Sequence, residues 1–292
     1  MYRGLHASAS GAASAAARSP IGQQISMDVE FAQLSDLGRI REGNEDYLGF
    51  VQPDTPEQTR SHGWLFAVAD GVGGHDLGEV ASHTAVECLL EGFRSAPAGT
   101  SHAALLERLI KDANTRVIDA GHAASSPGGS RMATTLVACA LRYDRATVGH
   151  VGDSRCYLIR RGEVALLTRD HTVVNEQVRL GIISASEASG SEVRHLLSRS
   201  LGAELFVNVD VTEHQVFGGD VLLLCSDGLH GSVSGSEMVA VAGNGGDLHA
   251  AAQRLVDIAN HRDGSDNISL QLIRVRGVER VGMYRGRPYR LR

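Results

Sequence analysis

Apolar and polar residues alternate from Asp28 to Leu34 (Asp-Val-Glu-Phe-Ala-Gln-Leu), the two-residue period of a half-buried strand. Ser35-Asp36-Leu37-Gly38 reads as the turn that closes it. Tyr47 to Val51 and Trp64 to Ala69 repeat the strand signature, and the second runs abruptly into Asp70-Gly71-Val72-Gly73-Gly74. The period then lengthens. Over 77–94 and 101–120 apolar positions recur at helical spacing, as at Leu105, Leu109, Ala113 and Val117, which predicts a pair of amphipathic helices.

Beyond the Ser125-Ser-Pro-Gly-Gly loop, strand patterns return at Thr134 to Tyr143, Ala146 to Val151 and Cys156 to Arg160. A further pair, Val207 to Val216 and Val221 to Cys225, precedes a helix near 247–260, and the last strand is Ile268 to Val275. There is no internal repeat. Hairpin-linked strands separated by helices predict an α+β domain of antiparallel sheets with helices packed outside, not a βαβ repeat. Residues 1–27, rich in Ala, Ser and Gly without the apolar core of a signal peptide, are expected to be a flexible extension. Residues 28–277 form the expected folded domain, and the Arg-rich 278–292 a basic C-terminal tail or linker.

At 292 residues and 42% hydrophobic, the chain has ample material for a core. A net charge of -6 and a pI near 6.1 argue against a general nucleic-acid binder, which needs a basic face. Lys111 is the single lysine, and the arginines are scattered rather than clustered. Cys88, Cys139, Cys156 and Cys225 sit in apolar runs with no CxxC spacing, as expected of reduced core residues in a cytoplasmic protein. No run is long enough for a membrane helix, so no membrane insertion is expected.

Four aspartates share one local setting: Asp70, Asp153, Asp227 and Asp266 each adjoin a hydrophobic strand and a small or turn-forming residue. Asp-Gly and Asp-Asn most often simply make turns. Carboxylates converging at the mouths of buried strands would instead repel one another unless a cation neutralised them, and an all-oxygen donor set favours hard ions such as Mg²⁺ or Mn²⁺. The segment Gly38-Arg-Ile-Arg-Glu-Gly-Asn-Glu-Asp46 concentrates charge before a strand. It is either a solvated turn or a site in which Arg41 clamps a phosphate while Glu45 and Asp46 hold metal-bound waters.

Seven segments, in order, resemble the motif set of the type 2C metal-dependent serine/threonine protein phosphatases, in their bacterial branch. They are Gly38 to Asp46, Phe66-Ala-Val-Ala-Asp-Gly-Val-Gly-Gly-His75, Met132-Ala-Thr-Thr-Leu136, Gly149-His-Val-Gly-Asp-Ser-Arg155, Leu167-Thr-Arg-Asp-His171, Cys225-Ser-Asp-Gly-Leu229 and Gly264-Ser-Asp-Asn-Ile268. The resemblance implies a four-layer αββα sandwich, two antiparallel β-sheets flanked by helix pairs. It implies two Mn²⁺ or Mg²⁺ ions bridged by Asp70, the first also held by the Gly71 carbonyl and the second by Asp227 and Asp266. Asp153 with Asp227 would form a third, weaker site. Arg41, Glu45 and Asp46 take the catalytic positions, Arg41 as the phosphate-binding arginine. The reaction implied is hydrolysis of phosphoserine or phosphothreonine by direct attack of a metal-bridging hydroxide. The partners implied are phosphorylated proteins, targets of a serine/threonine kinase, met by a monomeric domain.

Two positions depart from the pattern. Val72 stands where the eukaryotic branch has a histidine, with His75 three residues on, and Ala133 stands where relatives often have glycine. Residues 172–206 fall where bacterial relatives carry a mobile flap, and Gly181 to Gly190 reads as a partly helical small-residue segment. Rival chemistries fail on their residues. Cys88/Arg94 and Cys139/Arg145 match C-x5-R but lie on a helix and through a strand, with no anion-cradling loop. Asn208-Val-Asp-Val-Thr212 lacks the nucleophilic aspartate of a haloacid-type hydrolase, and Gly71-Val-Gly-Gly-His-Asp76 is no dinucleotide loop. The alternative from another class is a non-catalytic binding module of the same fold, which would be expected to have lost an aspartate at 70, 227 or 266; all are present.

Overall fold

The structure, a computed structural model, describes residues 27–72, 77–124, 132–191, 193, 195–284 and 287–290. The chain builds β1 (Met27–Asp36), β2 (Asp46–Val51), α1 (Pro56–Ser61), β3 (Trp64–Val72), α2 (Leu77–Arg94) and α3 (His102–Ala124). There follow β4 (Ala133–Thr134), β5 (Leu136–Arg142), β6 (Arg145–Val151), β7 (Arg155–Arg160), β8 (Glu163–Leu166), α4 (Val173–Arg179) and α5 (Ala185–Ser189). The last elements are β9 (Asp210–Gln215), β10 (Val221–Cys225), α6 (Asp227–His230), α7 (Gly235–Ala242), α8 (Leu248–Arg262), β11 (Ile268–Val278), β12 (Val281–Tyr284) and β13 (Arg287–Arg290).

Two large antiparallel sheets result, one ordered β1-β11-β10-β7-β8 and the other β2-β3-β5-β6-β9, with β4 paired to β3, beside a two-stranded β12-β13 sheet. Strand alternation divides the apolar residues into three layers of core. Leu65, Ala67 and Ala69 of β3 face α2 and α3, meeting Val86, Leu89, Phe93, Leu106 and Ile110. Phe66 and Val68 point the other way, between the sheets, against Leu222, Leu224 and Ile273. Leu223, Cys225, Leu270 and Leu272 pack outward on Met238 of α7 and on Leu255 and Val256 of α8. The helix–sheet–sheet–helix order is the expected αββα sandwich.

The same parity positions the chemistry. Asp70 continues the Phe66–Val68 face, and Asp46 continues the Leu48–Phe50 face, so both carboxylates belong to the gap between the sheets, at its end.

Several boundaries differ from the sequence reading. β1 continues through Asp36, where a turn is expected from Ser35, because Asp36 pairs with Ile268 of β11. β3 does not stop at Ala69: Asp70 pairs with Asp46, and Gly71 and Val72 pair with Thr134 and Ala133. The single strand expected from Thr134 to Tyr143 is broken at Thr135, whose N–H donates to the Asp70 carbonyl (2.8 Å). The strand expected from Val207 begins at Asp210, and β11 runs on to Val278, paired with Met27. Within the stretch expected to be a linker, β12 pairs with β13. α1 and α5 are too short to show periodicity, and each starts on a capping box, Thr55 with Gln58 and Ser184 with Glu187. Cys139, Cys156 and Cys225 are buried and unpaired with one another, and Cys88 is half-buried. Among the described residues no helix is long and apolar enough to cross a membrane.

Candidate metal centre

Arg41, Glu45, Asp70, Gly71, Asp153, Asp227 and Asp266 line one cleft of about 200 Å³, with Val72, Thr135, His195 and Leu197. Each sheet contributes. β3 carries Asp70; Asp227 follows β10 as the first residue of α6; Asp266 stands just ahead of β11; Asp153 lies in the crossing from β6 to β7. That crossing turns sharply on Gly152, whose φ of +103° is left-handed backbone that suits glycine. Asp46, behind the cleft lining, completes the cluster from β2.

Polar contacts fix the carboxylates from behind. Ser226 Oγ donates to Asp46 Oδ2 (2.7 Å), while Ser226 Oγ accepts from the Ser269 N–H (3.0 Å). Asp70 N–H donates to Thr135 Oγ1 (3.0 Å), and Thr134 Oγ1 donates to the Asp70 carbonyl (2.8 Å). Asn267 N–H donates to Asp266 Oδ1 (2.9 Å); the Asn267 side chain accepts from Glu45 N–H (2.8 Å) and donates to the carbonyls of Leu37 and Gly43. One asparagine thereby ties the Arg41 loop to the Asp266 turn. Arg41 lies 2.9 Å from Asp266, both side chains partly exposed at the rim.

Close backbone approach is built in at Gly71: a Cβ there would stand 2.3 Å from the Gly78 carbonyl oxygen and 2.7 Å from that of Glu45. The Gly71 N–H donates to that Glu45 carbonyl (3.1 Å), which also accepts from Ser82 Oγ (2.6 Å).

The electrostatics are those of a cluster of mutually repelling carboxylates. Burial, then the neighbouring Asp46, Asp227, Asp153 and Asp266, holds the Asp70 carboxyl well above the ordinary carboxylate range. Burial and the charges of Asp227 and Asp266 push Asp46 up to about 7 against its serine hydrogen bonds. Burial, Asp227 and Asp170 push Asp153 up to about 7, and burial with Asp266 raises Asp227. Asp46 Oδ1 and Asp227 Oδ1 are buried without a hydrogen-bond partner. Unpartnered oxygens in a converging all-oxygen set fit hard divalent cations, which satisfy both the lone pairs and the charge.

A family profile described as Protein phosphatase 2C matches residues 40–261. The chain belongs to the protein phosphatase 2C family. It is 34% identical over 264 residues to the serine/threonine phosphatase stp of Listeria innocua, covering 89% of this chain and 99% of that protein. It is 31% identical to protein phosphatase PhpP of Streptococcus pneumoniae, covering 84% of this chain and 97% of that one. The S. agalactiae serine/threonine phosphatase superposes with a TM-score of 0.77 at 31% identity, over 85% of this chain and 100% of that one. The catalytic domain of the phosphatase PstP, solved with two manganese ions, superposes with a TM-score of 0.70 at 32% identity, over 85% of this chain and 98% of that one.

Within this phosphatase 2C fold the candidate residues come together, and Val72 is at the cleft as well. His75 lies outside the described residues. Other contributors were not singled out from sequence. His195 of the 172–206 segment reaches the cleft, its Nδ1 3.9 Å from Asp227 Oδ2. His230 Nε2 bonds the Asp153 carbonyl (3.0 Å), and burial lowers its pKa to about 4, so the neutral ring donates from Nε2. Ser226, Thr135 and Asn267 lie inside the matched motifs, where hydroxyl and amide groups beside each aspartate were the available signal.

Proposed function

We propose that this chain is a metal-dependent serine/threonine protein phosphatase, a phosphomonoester hydrolase, with Asp70 at the hub of its metal centre. The observation that carries the reading is the convergence of Asp46, Asp70, Asp153, Asp227 and Asp266 in one cluster, with Asp46 and Asp153 buried and Asp266 at the rim beside Arg41. Asp70, Gly71, Asp227 and Asp266 would hold two Mn²⁺ or Mg²⁺ ions, and Asp153 with Asp227 a third. Bound there, the ions supply Lewis-acid charge for the phosphoryl oxygens and acidify water at neutral pH.

The chain's own groups do the rest. Arg41 presents a planar fork that binds phosphate oxygens at the rim. Its ion pair with Asp266 keeps that fork over the cleft before substrate arrives. Asp46, held at Oδ2 by Ser226, leaves Oδ1 to accept a hydrogen bond from the attacking water. Glu45, at the cleft wall, orients the same water. In-line attack by that water forms a new P–O bond as the P–O bond to serine or threonine breaks, a proton from the water ending on the released hydroxyl, with no phosphoenzyme. The substrates are phosphorylated proteins, targets of a serine/threonine kinase, met by a monomeric domain in the cytoplasm. Nothing favours the non-catalytic module, since the aspartates it would have lost are present and converge. Mn²⁺-dependent release of phosphate from a phosphothreonine peptide tests the reading, and its absence in the metal-loaded protein would refute it.

A further inference from the structure

His150, His171 and Asp210 form a second cluster, with ligand atoms all within 4.8 Å of one another, a spacing that a cation could bridge. Their polar atoms are already spent, however. Gly152 N–H donates to His171 Nδ1 (3.2 Å), His150 Nε2 pairs with the Arg169 carbonyl (2.8 Å), and Asp210 is held by two guanidinium groups. A cation brought there would meet two arginines, so a metal does not fit.

The cluster instead joins three parts of the chain. The segment carrying α4 and α5 leaves the sandwich at His171 and returns at Arg199. Its two arms lie side by side: Val173 N–H donates to the Leu196 carbonyl (2.8 Å) and Ser198 N–H to the His171 carbonyl (2.8 Å). The returning arm puts His195 and Leu197 on the catalytic cleft. At the base of both arms stands Asp210, the first residue of β9. It takes Arg169 Nη2 (3.1 Å) and His171 Nε2 (3.3 Å) from the outgoing arm, and Arg199 Nη1 (3.1 Å) from the returning one.

The His171 ring is fixed in this role. Because Nδ1 accepts from Gly152 N–H, the neutral ring carries its proton on Nε2, which lies 3.3 Å from both Asp210 Oδ2 and Arg199 Nη1. Burial, with the neighbouring His150 and Arg199, lowers the His171 pKa to about 4, which keeps the ring neutral. His150, stacked on it at 4.7 Å, blocks rotation, and the His171 N–H is bonded to the Gly152 carbonyl (2.9 Å), next to Asp153.

We propose that Asp210, His171 and Arg199 form a clasp that sets the position of the 172–198 segment over the catalytic cleft, acting as positioning residues for phosphoprotein hydrolysis. The inference rests on the phosphatase reading of the cleft. A substrate that extends beyond its phosphate must pass the returning arm, whereas a small aryl phosphate need not. Opening the clasp therefore penalises peptide substrates selectively.

The test compares Asp210→Asn, Arg199→Ala and Arg199→Lys in the full chain. Asp220→Asn, which breaks the remote ion pair with Arg160 (2.6 Å), serves as a control for general destabilisation. Amide hydrogen exchange on metal-free protein is expected to rise about tenfold or more across 171–175 and 195–200 in Asp210→Asn and Arg199→Ala. Arg199→Lys should recover part of the protection, and Asp220→Asn should leave these segments unchanged. With Mn²⁺, KM for a phosphothreonine peptide should rise roughly tenfold while kcat/KM for p-nitrophenyl phosphate falls less. Unchanged exchange in both arms overturns the clasp, as does an equal loss on both substrates. If the wild type releases no phosphate, the phosphatase reading fails by itself, and exchange still decides the clasp. Should Asp210→Asn not fold, the two Arg199 variants carry the same comparison.

Discussion

Asp46 and Asp70 stand directly opposite each other in the β2–β3 ladder. Cross-strand partners share a face, and like charges so placed destabilise a sheet. Here both point into the gap between the sheets, and a third and fourth carboxylate, Asp227 and Asp266, close over them from the other sheet. The arrangement costs stability unless divalent cations occupy the gap.

Removing one charge should therefore stabilise the empty protein and disable the loaded one. Asp70→Asn is expected to raise metal-free stability by about 1–2 kcal/mol. It should also abolish the Mn²⁺-induced rise in Tm. Thermal melts with and without Mn²⁺ check both, and a Tm gain in the variant equal to that of wild type would contradict the hub role.

The pH dependence follows from the sign of the shifts. Asp46 and Asp153, raised to about 7, bind protons in the folded state that the unfolded chain has released, so they make metal-free stability fall as pH rises from about 4 to 7. His102, His171 and His230, lowered to about 4, bind fewer protons folded than unfolded, so they oppose that trend up to about pH 6.5. Above it the carboxylates act unopposed. Because cations need these carboxylates ionised, the Tm gain from Mn²⁺ should grow between about pH 5.5 and about pH 7.5. A gain independent of pH would contradict a centre built on them.

Ser226→Ala removes the donor to Asp46 Oδ2 without touching the cleft lining. Activity should fall roughly 10- to 100-fold, the usual effect of losing a group that orients a ligand or its partner. Circular dichroism should be unchanged, and steady-state kinetics against wild type checks the prediction.

Much of this was legible in the sequence because it rests on periodicity and local chemistry. The strand alternation, the α2–α3 spacing and the Asp-Gly and Asp-Asn pairs all lie within a few residues of one another. What escaped depends on contacts across the chain. Nothing local says that β3 continues past Ala69, since that follows from the pairing of Asp70 with Asp46 and of Gly71 with Thr134. Likewise His195 reaches Asp227 only because the α4–α5 segment folds back, and Asp210 gains its arginines only once both arms meet β9.

Arg41→Ala should raise KM for phosphorylated substrates by roughly tenfold, the loss of a charge-assisted contact, while Mn²⁺ affinity changes less. Isothermal titration with Mn²⁺ alongside kinetics separates the two. An unchanged KM with a large fall in metal affinity would make Arg41 a partner of Asp266 only.

The most direct measurement is phosphate release from a phosphothreonine peptide by wild type and Asp70→Ala, each with Mn²⁺ and with excess chelator. The account predicts turnover by wild type with Mn²⁺, and a loss of about a thousandfold or more on chelation or in the variant. Turnover that survives both the chelator and the Asp70 substitution would contradict it.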